Sequence, residues 1–90
     1  MKHLNIKIYG QVQGVSFRYY TREQALVLGI TGFVRNEPDN SIYISAEGEE
    51  NNLQEFLKWC YQGPSSAKVD KVEVKESKVK KYDKFEIKYG

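Results

Sequence analysis

Leu4, Ile6 and Ile8 alternate with Asn5, Lys7 and Tyr9, the two-residue period of a strand with one buried face. The pattern breaks at Gly10. It gives way at Phe17 to a helical stripe of Phe17, Thr21, Ala25 and Leu28, with Gly29 as the C-terminal stop. Ser16 is the candidate N-cap, with Phe17 or Arg18 as alternative boundaries. Ile30 to Arg35 predicts a second strand. Glu37-Pro38-Asp39-Asn40 has turn chemistry, because Pro38 fixes φ and Asn40 tolerates a positive one. Ile42, Ile44 and Ala46 alternate with Tyr43 and Ser45, which predicts the return strand of a hairpin, ended by Gly48.

Leu53, Phe56, Leu57 and Cys60 fall at i, i+3, i+4 and i+7, the clearest helix in the chain, stopped by Gly63-Pro64. Val72 and Val74 mark a fourth strand. Val69 is out of phase with them, so a bulge or bend is expected near Asp70. Ser77 to Asp83 is polar and reads as a loop, and Phe85, Ile87 and Tyr89 mark a last strand. The order is βαββαβ with a short terminal strand. The expected fold class is α+β, a ferredoxin-like split βαβ sandwich: two helices on one face of a mostly antiparallel sheet.

Ninety residues predict one domain spanning 1–90, just above the size at which a hydrophobic core alone becomes doubtful support. Apolar residues make up 40% of the chain, too many for disorder. Net charge is only +2 and the basic residues of Lys68 to Lys88 alternate with acids, so they read as solvated strand faces and not as a nucleic-acid footprint. One cysteine, Cys60, excludes an intrachain disulfide; it lies on the apolar stripe and reads as a buried, inert thiol. No apolar run is long enough to span a bilayer and no signal-peptide pattern opens the chain, so a cytoplasmic protein is expected, without membrane or nucleic-acid partners. A monomer is the default. With one histidine and one cysteine no metal constellation emerges, and His3 has no obvious partner.

The candidate chemistry lies in Gln11-Val12-Gln13-Gly14-Val15-Ser16-Phe17-Arg18 and in Gly32-Phe33-Val34-Arg35-Asn36. The first segment leaves a strand, turns through glycine and presents an arginine at a helix start. Such a turn points backbone N–H groups at an anion, and the guanidinium adds a planar fork of donors. The second segment ends a strand with Asn36, an amide able both to donate and to accept. Arg35 should point to the opposite face of a regular strand and is left out of the site. Tyr19 and Tyr20 are candidates to line the substrate entrance, with packing the favoured reading.

These two blocks, with Leu28-Gly29-Ile30-Thr31 leading into the second, resemble the acylphosphatase family, and weaker echoes extend the resemblance essentially end to end: Ala46-Glu47-Gly48, Gly63-Pro64 and Phe85-Glu86-Ile87. The resemblance implies a small enzyme that hydrolyses the carboxyl–phosphate bond of acyl phosphates, releasing inorganic phosphate, with no metal or cofactor. It implies a phosphate-binding backbone loop formed by Gln13, Gly14, Val15, Ser16, Phe17 and Arg18. Arg18 would bind the phosphate and Asn36 would orient the attacking water. Ser16 stands where the family often has glycine, and Asn40 where its hairpin usually has glycine. Two other readings compete. An RNA-binding sheet would use Tyr9 and Tyr43 for stacking, but the basic-Gly-aromatic-Gly signature is absent. A non-catalytic anion-binding descendant of the fold is the other, and the presence of both Arg18 and Asn36 weighs against it.

Overall fold

The alternation of the first strand is realised as a sheet with one apolar face and one polar face. A computed structural model describes residues 1–89. The elements are β1 (Lys2–Gln11), α1 (Phe17–Leu28), β2 (Thr31–Asn36), β3 (Ile42–Gly48), α2 (Glu50–Gln62), β4 (Lys68–Ser77) and β5 (Phe85–Lys88). The strands form one sheet in the order β4-β1-β3-β2-β5. All pairings are antiparallel except that of β2 with β5. This is the expected ferredoxin-like α+β arrangement, with β5 as the short added strand.

Register places Ile6 opposite Ile44 and Val74, and Val34 opposite Ile44, so these residues share one face. Both helices cover that face. Phe17, Ala25, Leu53, Phe56 and Cys60 join Leu4, Ile6, Ile8, Val34, Ile42 and Ile44 in one buried cluster. Truncating a fully buried ring such as Phe56 would cost about 3–5 kcal/mol. Helix α1 ends at Gly29, which takes the left-handed conformation (φ 67°) that closes its last turn. Strand β4 carries the bulge foreseen at Asp70: Tyr9 pairs with Lys71 and Gly10 with Val69, so Asp70 is skipped. Asn40 takes a positive φ of 72°, as its place in the turn requires.

The opposite face holds His3, Asn5, Ser45, Glu47, Phe33 and Arg35. Residues 78–84 cross one end of it. His3 corrects the expectation that it lacks a partner. It is fully buried; Nδ1 lies 2.7 Å from Glu47, and Nε2 lies 2.9 Å from Asn5 Oδ1 and 3.0 Å from Ser45. The backbone N–H groups of Lys80 and Tyr82 donate to Glu47, and the hydroxyls of Tyr82 and Ser45 are 3.1 Å apart. Burial pushes the Glu47 carboxyl up, but the Lys80 N–H, His3 and the Tyr82 N–H outweigh it and hold the carboxyl below its ordinary value.

Candidate active site

Between β1 and α1 the chain makes a short loop that turns through two left-handed residues, Gly14 (φ 75°) and Ser16 (φ 60°). Glycine accepts that conformation freely, whereas serine is strained there by roughly 1 kcal/mol or more. The strain gives a physical reason why glycine suits position 16. Ser16 does occupy the N-cap position of α1, but its side chain makes no capping bond, contrary to its expected role. No acidic residue sits in the first turn either. The first N–H groups of α1 are therefore free of a local side-chain acceptor, which suits an anion at the positive end of the helix dipole.

Three tethers hold the surroundings of this loop. Ser66 donates to the Val15 carbonyl at 2.9 Å. The Gln13 side-chain amide donates to the carbonyls of Glu37 and Ser41, each at 2.9 Å. Arg18 Nη1 donates to the Lys88 carbonyl at 3.1 Å, and its guanidinium lies 4.7 Å from the centre of the Tyr89 ring. A carbonyl and a ring orient the guanidinium without neutralising it, so its charge remains available to an anion.

Asn36 closes β2 on the helix-covered face, opposite Ile42. Its Oδ1 is buried and has no hydrogen-bond partner among the described residues. An unpaired buried acceptor costs about 1–3 kcal/mol, so its retention calls for an explanation. The hairpin that follows is tightly closed. Glu37 N–H donates to the Ser41 carbonyl at 2.9 Å, and Asn40 N–H donates to the Glu37 carbonyl at 3.1 Å. The Ser41 hydroxyl and N–H, then Lys7, hold the Asp39 carboxyl down to about 2.

Loop, arginine and amide meet at one cavity of about 340 Å³, whose walls include Gly14, Ser16, Phe17, Arg18 and Asn36. A second cavity, of about 590 Å³, shares Arg18, Asn36 and Tyr89 and continues toward Arg35, Glu37 and Pro38. Gln13 and Val15 belong to the same loop but do not line the first cavity; their side chains or carbonyls serve the tethers instead. Arg35 leaves the opposite face, as its place in the strand requires. Its Nε pairs with Glu37 at 3.1 Å and its guanidinium lies 4.8 Å from the Tyr43 ring.

A family model described as acylphosphatase matches residues 4–87. The chain belongs to the acylphosphatase family. It is 48% identical over 89 residues to an acylphosphatase of Thermotoga maritima, covering 99% of each chain. It is 49% identical over 86 residues to one of Archaeoglobus fulgidus, covering 96% of this chain and 97% of the other. The crystal structure of acylphosphatase from Bacillus subtilis superposes with a TM-score of 0.96 at 37% identity, covering 99% of this chain and all of that one. The chain is accordingly an enzyme of the acylphosphatase type, a hydrolase acting on acyl phosphates as small-molecule substrates.

Two features of this acylphosphatase escape a reading of the sequence, and a third goes against the favoured one. Tyr89 and the Lys88 carbonyl reach Arg18 only because β5 lies parallel beside β2. Ser66 meets Val15 across 51 positions of sequence. Against the favoured packing reading, Tyr19 and Tyr20 are 48% and 44% exposed, and Tyr19 lines the first cavity, in line with the entrance alternative. The exposed part of a helix carries no periodic apolar signal, so only the loop motif next to Tyr19 points to the cavity. Among the described residues, no helix is long and apolar enough to cross a membrane. Cys60 is buried, and burial pushes its thiol far up, as an inert core residue requires.

Proposed function

We propose that this acylphosphatase holds the phosphoryl group of its substrate with the N–H groups of residues 13–18 and with Arg18, and aims water at it with Asn36, using no metal or cofactor. The convergence of the left-handed loop, Arg18 and Asn36 on one cavity is the observation that carries this reading.

An acyl phosphate is a mixed anhydride whose leaving group is a carboxylate, a weak base. Its departure needs no strong general acid. The transition state is loose and spreads charge over the non-bridging phosphoryl oxygens, so catalysis reduces to positioning and electrostatic stabilisation. The water oxygen bonds to phosphorus as the bond to the carboxylate oxygen breaks, and the water protons leave with inorganic phosphate or to solvent. Arg18 is already braced by Lys88 and Tyr89 and has only to accept the anion. Turning the Asn36 carboxamide about its last bond presents Oδ1 to the cavity, where it accepts a hydrogen bond from the water and directs a lone pair at phosphorus.

The test is hydrolysis of benzoyl phosphate in the presence of a chelator, by the wild-type chain, Arg18→Ala and Asn36→Ala, with an unactivated phosphate monoester as control. Asn36→Ala should lose roughly 10²-fold or more in kcat. Arg18→Ala should lose kcat and also raise KM, because it holds the ground-state phosphate too. Full activity in Asn36→Ala would remove its water-positioning role, and loss of wild-type activity in chelator would remove the metal-independent mechanism.

A further inference from the structure

We infer that Gln13 is a positioning residue whose side chain sets the distance between the phosphate loop and the Asn36 carboxamide. The inference rests on the roles proposed above for that loop and for Asn36.

Its basis is a two-pronged clamp. Gln13 Nε2 donates to the Glu37 carbonyl and to the Ser41 carbonyl, each at 2.9 Å. Carbonyl oxygens only accept, so the NH2 end of the carboxamide must face them, and both of its protons are used. The acceptors stand at the two ends of the turn that follows Asn36. The turn's own bonds, from Glu37 N–H to Ser41 and from Asn40 N–H to Glu37, close it on itself and do not reach the loop. Among the described residues, the Gln13 bonds are the hydrogen bonds that join residues 12–16 to residues 36–41.

Glu37 follows Asn36 directly, and adjacent Cα atoms are a fixed ~3.8 Å apart across a planar peptide. A shift of the hairpin relative to the loop therefore carries the Asn36 amide with it. A phosphoryl group bound on the loop and a water held by Asn36 must be in line for reaction, and a misplacement of about 1 Å can cost 10²-fold. The Gln13 side chain touches neither, since both of its donors are spent on the hairpin. It ties the element that holds phosphate to the element that holds water.

Two variants separate this from a stabilising role. Gln13→Met keeps the length and removes both donors; Gln13→Glu sets a carboxylate against two carbonyl oxygens. Steady-state hydrolysis of benzoyl phosphate, inhibition by inorganic phosphate and thermal unfolding are measured for each. The expected result is a fall in kcat of about tenfold to a hundredfold, with Ki for phosphate within about twofold of wild type, because the loop N–H groups and Arg18 are retained. Unchanged kcat in a folded variant, with only a lower Tm, would reduce Gln13 to a staple of the hairpin. A parallel rise in Ki would place its effect on the phosphate loop instead. Either result overturns the inference.

A readout without activity keeps the two readings distinguishable. In NMR spectra of the wild-type chain the Gln13 side-chain amide protons should exchange slowly, and in Gln13→Met the Asn36 side-chain signals should broaden while those of residues 14–18 hold. Fast exchange of the Gln13 protons in the wild type would sink the clamp even if neither variant folded. A wild-type chain that hydrolyses no acyl phosphate would defeat the proposed function and leave this measurement intact.

Discussion

The two polar centres of this molecule are built on opposite principles. Under residues 78–84, His3, Ser45, Glu47 and Tyr82 satisfy one another, and Glu47 also takes the Lys80 and Tyr82 N–H groups. At the helix-covered end of β2, Asn36 keeps a buried oxygen without a partner, Arg18 keeps its charge, and the first turn of α1 keeps its donors uncapped. Buried polar groups stabilise a fold only when they are saturated, and an unsaturated group is tolerated where a ligand completes it. The first centre should therefore govern stability and the second activity.

The largest effect should come from breaking the saturated centre. Glu47→Ala leaves the buried His3 ring and two backbone N–H groups without an acceptor, and should cost about 3–5 kcal/mol in chemical or thermal unfolding. The kcat of the folded protein should change little, since Glu47 touches nothing at the Arg18 cavity. The same carboxyl contributes to the acid sensitivity of the fold. It is held below its ordinary value of 4.5 in the folded state, so its contribution is complete above about that pH and is lost as pH falls below it. Unfolding titrations of the wild type and of Glu47→Gln should converge at low pH. A Glu47→Ala loss under about 1 kcal/mol would dissolve the comparison.

Asn36→Ala is the opposite case. Its kcat should fall by roughly 10²-fold, worth about 3 kcal/mol in the barrier. Yet its Tm should hold or rise, because the substitution removes a buried acceptor that has no donor. A marked drop in Tm would show that the Asn36 amide is part of the fold's own hydrogen bonding and not reserved for the reaction.

How legible each centre is in the sequence follows from its construction. The loop between β1 and α1 is contiguous, and its glycine, serine and arginine speak through backbone conformation and charge, so Gly14 to Arg18 can be read directly. Asn36 can be read through the block Gly32-Phe33-Val34-Arg35-Asn36 that it closes, since a strand end alone would not single it out. The apolar face is legible through its periodicity: period two in β1 and β3 and the i, i+3, i+4 spacing in α2 each name their buried residues. The saturated centre is not legible. His3 and Glu47 are 44 positions apart, are brought together by strand register and are covered by a loop with no pattern of its own. Nothing in a lone histidine near an N-terminus distinguishes a solvated ring from one buried against a carboxylate. Ser66, Lys88 and Tyr89 are hidden in the same way, since each acts through a neighbour that only the sheet order supplies.

Ser16 gives the smallest test, and it lines the cavity shared with Arg18 and Asn36. Its φ of 60° is a conformation that a side chain opposes and glycine accepts, and its hydroxyl makes no capping bond that would offset the strain. Ser16→Gly should therefore stabilise the protein by about 1 kcal/mol, a rise in Tm of roughly 4–8 °C for a domain of this size. The greater freedom of glycine in the unfolded chain works against this gain and sets the lower bound. The sign is what matters. A stabilising Ser16→Gly would mean that the loop holds its left-handed turn against local preference, as an element shaped for a ligand does. A destabilising one would mean that the serine side chain supports the loop through contacts other than a cap, and the activity centre would then contain a stabilising element of its own.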